Sequence, residues 1–361
     1  MANPLLKKTI LVGITGSIAA YKAADLTSKL HQAGAIIDVV LTQSALHFIT
    51  PLTFQSVTGR KAYTDADLWG GEGHVTHIGL GRSADLIIIA PASANTIAKM
   101  ANGIADNLLS VTILASHCPV LVAPAMDAGM FEHPATKNNL AILRNRGFYV
   151  TGPAAGHLAS GMVGVGRMSD PVEILDQARW IMSSDGPLAG KKIIVTAGGT
   201  QEPIDPVRMI TNRSSGKQGY ALAQAALNSG ANVTLISTVS HLPQPTGANV
   251  INVSTAEEMY CVVMQEVPNS DVLIMAAAVA DFRPVNPSVQ KIKKEKGVPT
   301  IHLEPTVDIL QAVCEQRKTN GFPRHVIGFA AESQNLLENA EKKLEEKGLD
   351  LIIANDILAS G

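Results

Sequence analysis

Lys191-Lys192-Ile193-Ile194-Val195 runs into Thr196–Gly219, TAGGTQEPIDPVRMITNRSSGKQG, which leads into Tyr220–Ser229. The first segment is an apolar run of strand length, and the last carries a helical pattern. An ordinary strand-to-helix connection takes a handful of residues, whereas this one takes about two dozen. Its Gly, Asp, Arg, Asn, Ser and Lys suit a loop that holds a polar, phosphorylated ligand near a helix N-terminus. The alternative, a long surface loop without a role, is disfavoured by how rarely such loops occur.

Outward from this stretch, apolar runs alternate with helical patterns along the whole chain. Strands are expected near 9–13, 36–41, 85–90, 119–123 and 148–151, with helices at 17–31, 93–101 and 134–146. A second series places strands near 192–196, 232–236, 249–252, 272–275, 325–329 and 350–353, with helices at 217–229, 255–265, 307–316 and 335–347. Continuous apolar strands between helices signal parallel sheets covered on both faces. The expected fold is α/β: two doubly wound, Rossmann-like three-layer domains with mainly parallel sheets. The expected division is 1–182, a linker at 183–190 read from Ser183-Ser184-Asp185-Gly186-Pro187-Leu188, and 191–361. Ligands should then lie beyond the C-terminal ends of the strands. A polar Asn355-Asp356 pair just after the last strand belongs at such a crevice, so the second domain is expected to be C-terminally incomplete.

The 361 residues are 46% hydrophobic and 17% charged, with a net charge of −2. That balance makes no electrostatic case for nucleic acid or an anionic membrane. The apolar run Asp85–Ala90 is far short of a membrane span, and Met1-Ala2-Asn3-Pro4 shows no signal-peptide pattern. Cys118, Cys261 and Cys314 form neither a metal cluster nor a disulfide framework, which fits the reducing cytoplasm.

A second Gly-rich opening follows the strand Thr9–Val12: Gly13-Ile14-Thr15-Gly16-Ser17-Ile18-Ala19-Ala20-Tyr21. Its glycines permit a tight turn, and Ser17 offers donors at a helix N-terminus. It lacks the full dinucleotide fingerprint, and no acid clearly ends the strand Ile36–Leu41, so a flavin mononucleotide fits better than NAD. Ala90-Pro91-Ala92-Ser93-Ala94-Asn95-Thr96 leaves a buried strand and opens a helix; Ser93 reads equally as a phosphate donor or as a plain N-cap. Pro124-Ala125-Met126-Asp127-Ala128-Gly129-Met130 sets two methionines around an acid, which suits an apolar ligand face or core filling. His77 opens a helix beside the expected crevice and reads evenly as catalytic or structural.

Together these segments resemble the flavin-dependent cysteine decarboxylases. The second half resembles phosphopantothenate–cysteine ligase, and the order of halves is that of the fused bacterial coenzyme A biosynthesis enzymes. The resemblance covers essentially the whole chain. It implies that the first half binds FMN through Gly16, Ser17, Ile18, Ser44, Ala92, Ser93, Thr96 and Met126, and the substrate through Met130 and Arg167. It would decarboxylate 4′-phosphopantothenoylcysteine with His77, Asp127 and Ser160 at the catalytic positions, the flavin supplying the redox chemistry. Two positions depart from the family pattern. Asp127 stands where the family has Asn; a carboxylate would repel the substrate carboxylate unless its pKa is raised. Ser160, in Ala159-Ser160-Gly161, stands where the family has a Cys thought to supply a proton late in the reaction; a hydroxyl is a far weaker acid. A flavin-binding half that has lost decarboxylation is therefore one alternative, and a nicotinamide oxidoreductase is another.

In the second half, Gly198-Gly199-Thr200, Asp205-Pro206-Val207-Arg208 and Asn212-Arg213-Ser214-Ser215-Gly216-Lys217 stand as the ligase family has them. By this resemblance CTP is bound by Gly198, Ser214, Ser215, Gly216, Lys217, Ala278, Asp281, Lys291, Asp308, Phe329, Lys343 and Lys347. Asn212 would hold an acyl-cytidylate, Arg208 would bind substrate, and Lys291 would stabilise phosphoryl oxygens as pyrophosphate departs. No dense acidic cluster marks a metal site, so Mg²⁺ is expected to be held largely by CTP. The resemblance also implies homo-oligomers, with trimers of the first half, flavin at their contacts, and dimers of the second.

Overall fold

The computed structural model describes residues 2–69, 75–293, 300–332 and 335–356. The chain divides into two compact units, Asn3–Met182 and Ser183–Gly361.

In the first unit, β1 (Thr9–Ile14), β2 (Ile36–Leu41), β3 (Ala62–Tyr63), β4 (Leu86–Ala92), β5 (Val120–Pro124) and β6 (Tyr149–Val150) form one sheet in the order β3-β2-β1-β4-β5-β6. Every pairing is parallel. All seven residues of β4 are buried, as a strand covered on both faces requires. Helices α1 (Ala20–Gln32), α2 (Pro51–Thr58), α3 (Thr76–Ser83), α4 (Ala94–Asn102), α5 (Leu108–Ala115), α6 (Ala128–Glu132), α7 (Pro134–Asn145) and α8 (Pro171–Met182) accompany it. Helix α1 buries Ala20, Ala23, Leu26, Thr27 and Leu30, an i, i+3, i+7 stripe. Two apolar clusters cover the two faces, one built around Ile10, Val12 and Ile88 and the other around Leu11, Ile87 and Ile89. An antiparallel ribbon, β7 (Ala154–His157) with β8 (Val163–Arg167), lies outside the main sheet.

The second unit repeats the plan. Strands β9 (Lys192–Ala197), β12 (Asn232–Ser237), β13 (Asn249–Asn252), β14 (Val272–Met275), β17 (His325–Glu332) and β18 (Leu351–Asp356) pair in parallel in the order β13-β12-β9-β14-β17-β18. Its helices are α9 (Lys217–Asn228), α10 (Ala256–Glu266), α11 (Ile309–Asn320) and α12 (Leu336–Glu346). Counted within its own unit, each main sheet runs 3-2-1-4-5-6, so each has a switch point between its first and fourth strands, the crevice position of open α/β sheets. The segment Ser183–Gly190 folds as turns of the second unit, with Leu188 N–H donating to Ser229 O at 2.8 Å.

The structure corrects the reading of Thr196–Gly219 as one irregular loop. It contains a hairpin, β10 (Gln201–Asp205) against β11 (Arg208–Thr211). Pro203 interrupts the β pattern, which hides a strand from periodicity, while Asp205 supplies the turn by accepting from the Val207 N–H at 2.8 Å. A second ribbon, β15 (Phe282–Pro284) with β16 (Leu303–Pro305), was likewise not anticipated.

Candidate functional sites

A crevice of about 580 Å³ opens at the switch point of the first sheet. It is built by the turns after β1 (Gly16, Ser17, Ile18), β4 (Ser93, Ala94) and β5 (Ala125, Met126, Asp127), with Met130 and the β7–β8 ribbon completing the wall. The turns are tied together. The Thr15 hydroxyl donates to Pro91 O at 2.7 Å and accepts from the Ser93 N–H at 2.9 Å. A Cβ on Gly16 would lie 2.6 Å from Ser44 Cβ, so the β1 turn needs glycine to pass that side chain. Ser93 is the N-cap of α4, accepting from the Thr96 N–H at 3.3 Å, and also lines the crevice.

A Cβ on Gly166 would sit 2.2 Å from Met126 O, and the Met126 N–H donates to Gly166 O at 3.0 Å. Gly166→Ala is therefore expected to destabilise the first unit by about 2 kcal/mol, the usual cost of overpacking. It should also weaken flavin retention, both to be read by thermal unfolding with and without added flavin. The crevice size, its amide donors near the α1 N-terminus and its apolar Met126, Met130 and Ile18 all suit a flat ring carrying a phosphate.

The two residues that depart from the family pattern touch each other. The Ser160 hydroxyl, at the tip of the β7–β8 ribbon, donates to Asp127 Oδ2 at 2.6 Å, and the Gly129 N–H donates to Oδ1 at 2.9 Å. These two bonds, the hydroxyl's first, hold the Asp127 carboxyl below the ordinary carboxylate value. The condition of a raised pKa is thus not met here: Asp127 faces the crevice as an anion.

Lys22 and Asp170 escaped the sequence reading. Lys22 lies on the buried side of α1, lines the crevice and donates to Asp170 at 2.6 Å. That contact, despite burial, holds the Asp170 carboxyl low. The signal was available: a lysine one residue before Ala23 in a helix of buried alanines and leucines.

Gly16, Ser17, Ile18, Ser93, Met126, Asp127, Met130, Ser160 and Arg167 all meet at this crevice. Ser44, Ala92 and Thr96 stand behind it without lining it. His77, on α3, is also absent from its lining, and its Nδ1 is buried with no hydrogen-bond partner.

The crevice of the second unit, about 630 Å³, is lined by Asn212, Arg213, Ser214 and Gln218, the loop Ala276–Asp281, Thr306–Leu310, Phe329, Lys343 and Lys347. Its floor loop is fixed by three hydroxyls. Thr196 accepts from the Ala277 N–H at 3.1 Å, Thr200 from the Ala280 N–H at 2.9 Å, and Thr306 donates to Ala280 O at 2.5 Å. Asn212 Nδ2 donates to Val279 O at 3.0 Å. Asp308 caps α11 through the Gln311 N–H at 3.0 Å and forms an ion pair with Lys347. Burial pushes the Asp308 carboxyl up, but Lys347 and the capped amide outweigh it and leave it low.

Of the CTP contacts expected from the sequence, Ser214, Ala278, Asp281, Asp308, Phe329, Lys343 and Lys347 line this crevice; Gly198, Ser215, Gly216, Lys217 and Lys291 do not, nor does Arg208. Gly198 and Gly216, at φ +90° and +73°, press against Thr238 and Val239, where any Cβ would clash. Among the described residues, no group of three or more His, Cys, Asp or Glu could hold a metal ion, and no helix is long and apolar enough to cross a membrane.

Two doubly wound units, each with a crevice at its switch point, define a two-domain α/β protein. Residues 2–181 match the Flavoprotein family profile, and residues 188–361 match that of the DNA/pantothenate metabolism flavoprotein C-terminal domain. The coenzyme A biosynthesis bifunctional protein CoaBC of Bacillus subtilis is 46% identical over 360 residues, covering 99% of this chain and 88% of the relative. That of Mycobacterium tuberculosis is 44% identical over 364 residues, covering 98% and 87%. Among solved structures, a PPC decarboxylase variant complexed with pantothenoylaminoethenethiol is 39% identical over 48% of this chain and 97% of its own, with a TM-score of 0.45. The chain belongs to the family of coenzyme A biosynthesis bifunctional proteins.

Proposed function

We propose that the second unit ligates cysteine to 4′-phosphopantothenate at the expense of CTP, through an acyl-cytidylate, and that the first unit decarboxylates the resulting 4′-phosphopantothenoylcysteine to 4′-phosphopantetheine with FMN. The observation that carries this reading is the presence, in one chain of this family, of two switch-point crevices with different linings. One offers amide donors beside methionines, the other a small-residue floor ringed by Arg213, Lys343 and Lys347. FMN, when bound, supplies the electron transfers of the decarboxylation; Ser17 and Ser93 would hold its phosphate end, and Met126 would pack on its ring.

In the ligation, the substrate carboxylate attacks the α-phosphorus of CTP and pyrophosphate leaves. The amine of cysteine then displaces CMP to give the amide. Asn212 would orient the mixed anhydride, Asp281 the cytosine, and Lys291, Lys343 and Lys347 the phosphates. Mg²⁺ would be carried in largely by the nucleotide.

A site assembled between copies of the chain accounts for His77 lying outside the first crevice, and Ile18, Tyr21 and Trp69 expose apolar surface for such a contact (59%, 65% and 90% exposed). On this reading the first units form trimers with flavin at their contacts, the second units form dimers, and the enzyme works in the cytoplasm.

The Asp127–Ser160 bond favours one rival, an active ligase whose flavin-binding half does not decarboxylate. Purified protein should show flavin absorption bands, and the full chain should release CO2 from phosphopantothenoylcysteine. Flavin without CO2 would establish the rival, and neither would remove the assignment of the first unit.

A further inference from the structure

We propose that Asp205 is the positioning residue for Lys291, and that it acts by holding the backbone of Ile292 against the β10–β11 turn. This rests on the reading of Lys291 as the lysine of the ligation step. Asp205 ends β10, and its side chain is fully buried, with 0% exposure. Oδ1 accepts from the Val207 and Arg208 N–H groups at 2.8 and 2.9 Å and so folds the hairpin turn. Oδ2 accepts from the Ile292 N–H at 3.2 Å, a residue 87 positions away in sequence. Arg208, paired with the same carboxylate at 3.6 Å, donates from Nη2 to Ile292 O at 3.2 Å. Both polar groups of the Ile292 backbone are therefore held. A third stitch, Ser288 N–H to Ile204 O at 2.9 Å, secures the other end of the segment.

The hairpin is itself fastened to the crevice. The Thr200 N–H donates to Ala278 O at 3.2 Å, the Gln201 N–H to Ser254 O at 2.8 Å, and the buried Glu202 carboxylate accepts the Ala256 N–H at 2.8 Å. Beyond the far end of β11, Asn212 bonds to the crevice floor. One anchored ribbon thus carries Asn212 directly and Lys291 through Asp205. Turn formation alone needs one side-chain oxygen, which Asn or Ser also provides. Using both oxygens at once, one inside the turn and one across to Ile292, requires a carboxylate. Burial pushes that carboxyl up, but the three N–H donors and Arg208 outweigh it and leave it low, so both oxygens accept. Lys291 is exposed on a long side chain, and its charge is delivered to one place only if its backbone is fixed.

The test uses the full chain. Asp205→Asn leaves one acceptor oxygen where two are needed, and Ile292→Pro deletes the same N–H from the opposite side. Each variant should lower kcat for pyrophosphate release from CTP and phosphopantothenate by about tenfold or more, with KM for CTP held within about twofold. Flavin binding by the first unit of the same chain should be unchanged. The double variant should be no worse than the poorer single one, because both remove one interaction. Tryptic cleavage after Lys293 should accelerate in both variants, and after Lys291 in Asp205→Asn alone, because trypsin does not cut the Lys–Pro bond that Ile292→Pro creates; this readout owes nothing to catalysis. Wild-type kcat in Asp205→Asn and Ile292→Pro, multiplying effects in the double variant, or unchanged cleavage would each overturn the proposal. Lys291→Gln serves as the reference: if that variant ligates normally, it is the reading of Lys291 that has failed.

Discussion

Lys291→Gln is expected to cut CTP-dependent ligation by about 10² to 10³, the loss that follows removal of one preorganised group facing developing charge. The substitution keeps an unbranched stem and a capacity to donate, one atom shorter, while removing the positive charge. Lys291 is exposed and outside the lining of the second unit's crevice, so the protein should fold normally. The deficit should appear in kcat and be visible as lost pyrophosphate release, before cysteine is needed. Retained pyrophosphate release with lost amide formation would move Lys291 from the first chemical step to the second.

The second large effect is a gain. Asp127 is held as an anion by the Ser160 hydroxyl and the Gly129 N–H. A substrate carboxylate brought beside it meets like-charge repulsion that grows as water is excluded. Asp127→Asn is accordingly expected to raise kcat/KM for decarboxylation by about tenfold. Ser160→Cys places a group with a pKa near 8.5 where a hydroxyl now stands, and proton donation by a positioned acid contributes about 10²-fold or more. Combining the two substitutions should therefore give the highest rate of phosphopantetheine formation. A double variant no faster than the parent protein would show that this pair is not what sets the rate. Because the two side chains are bonded, their effects should not multiply.

The sheets were legible because their strands are continuous apolar runs: Leu86–Ile89, Val120–Val122, Ile193–Val195 and Val272–Met275 need both faces covered and have no other stable use. The crevice residues beyond strand ends, Ser17, Ser93, Met126 and Asp281, came with the sheets, since double winding sends ligands there, and Phe329 lines its crevice from within β17. The ribbons were not legible. Gly156, Gly161, Gly164 and Gly166 deprive β7–β8 of alternation, and Pro203 does the same for β10; both ribbons are held by contacts distant in sequence. The Ser160–Asp127 bond spans 33 residues and the Ile292–Asp205 bond 87, and no local pattern reports such pairings. Lys22 was missed because a lysine in a helix usually faces water.

The ion pair between Lys347 and Asp308 has a consequence for selectivity. An incoming anion does not find a bare ammonium; it must outcompete a carboxylate already seated there. A singly charged or weakly basic group gains little from that exchange, whereas a polyphosphate, with more charge and more oxygens to share among neighbouring lysines, gains much. If the crevice takes the triphosphate proposed above, the internal competitor would act as a threshold that filters ligands by valence.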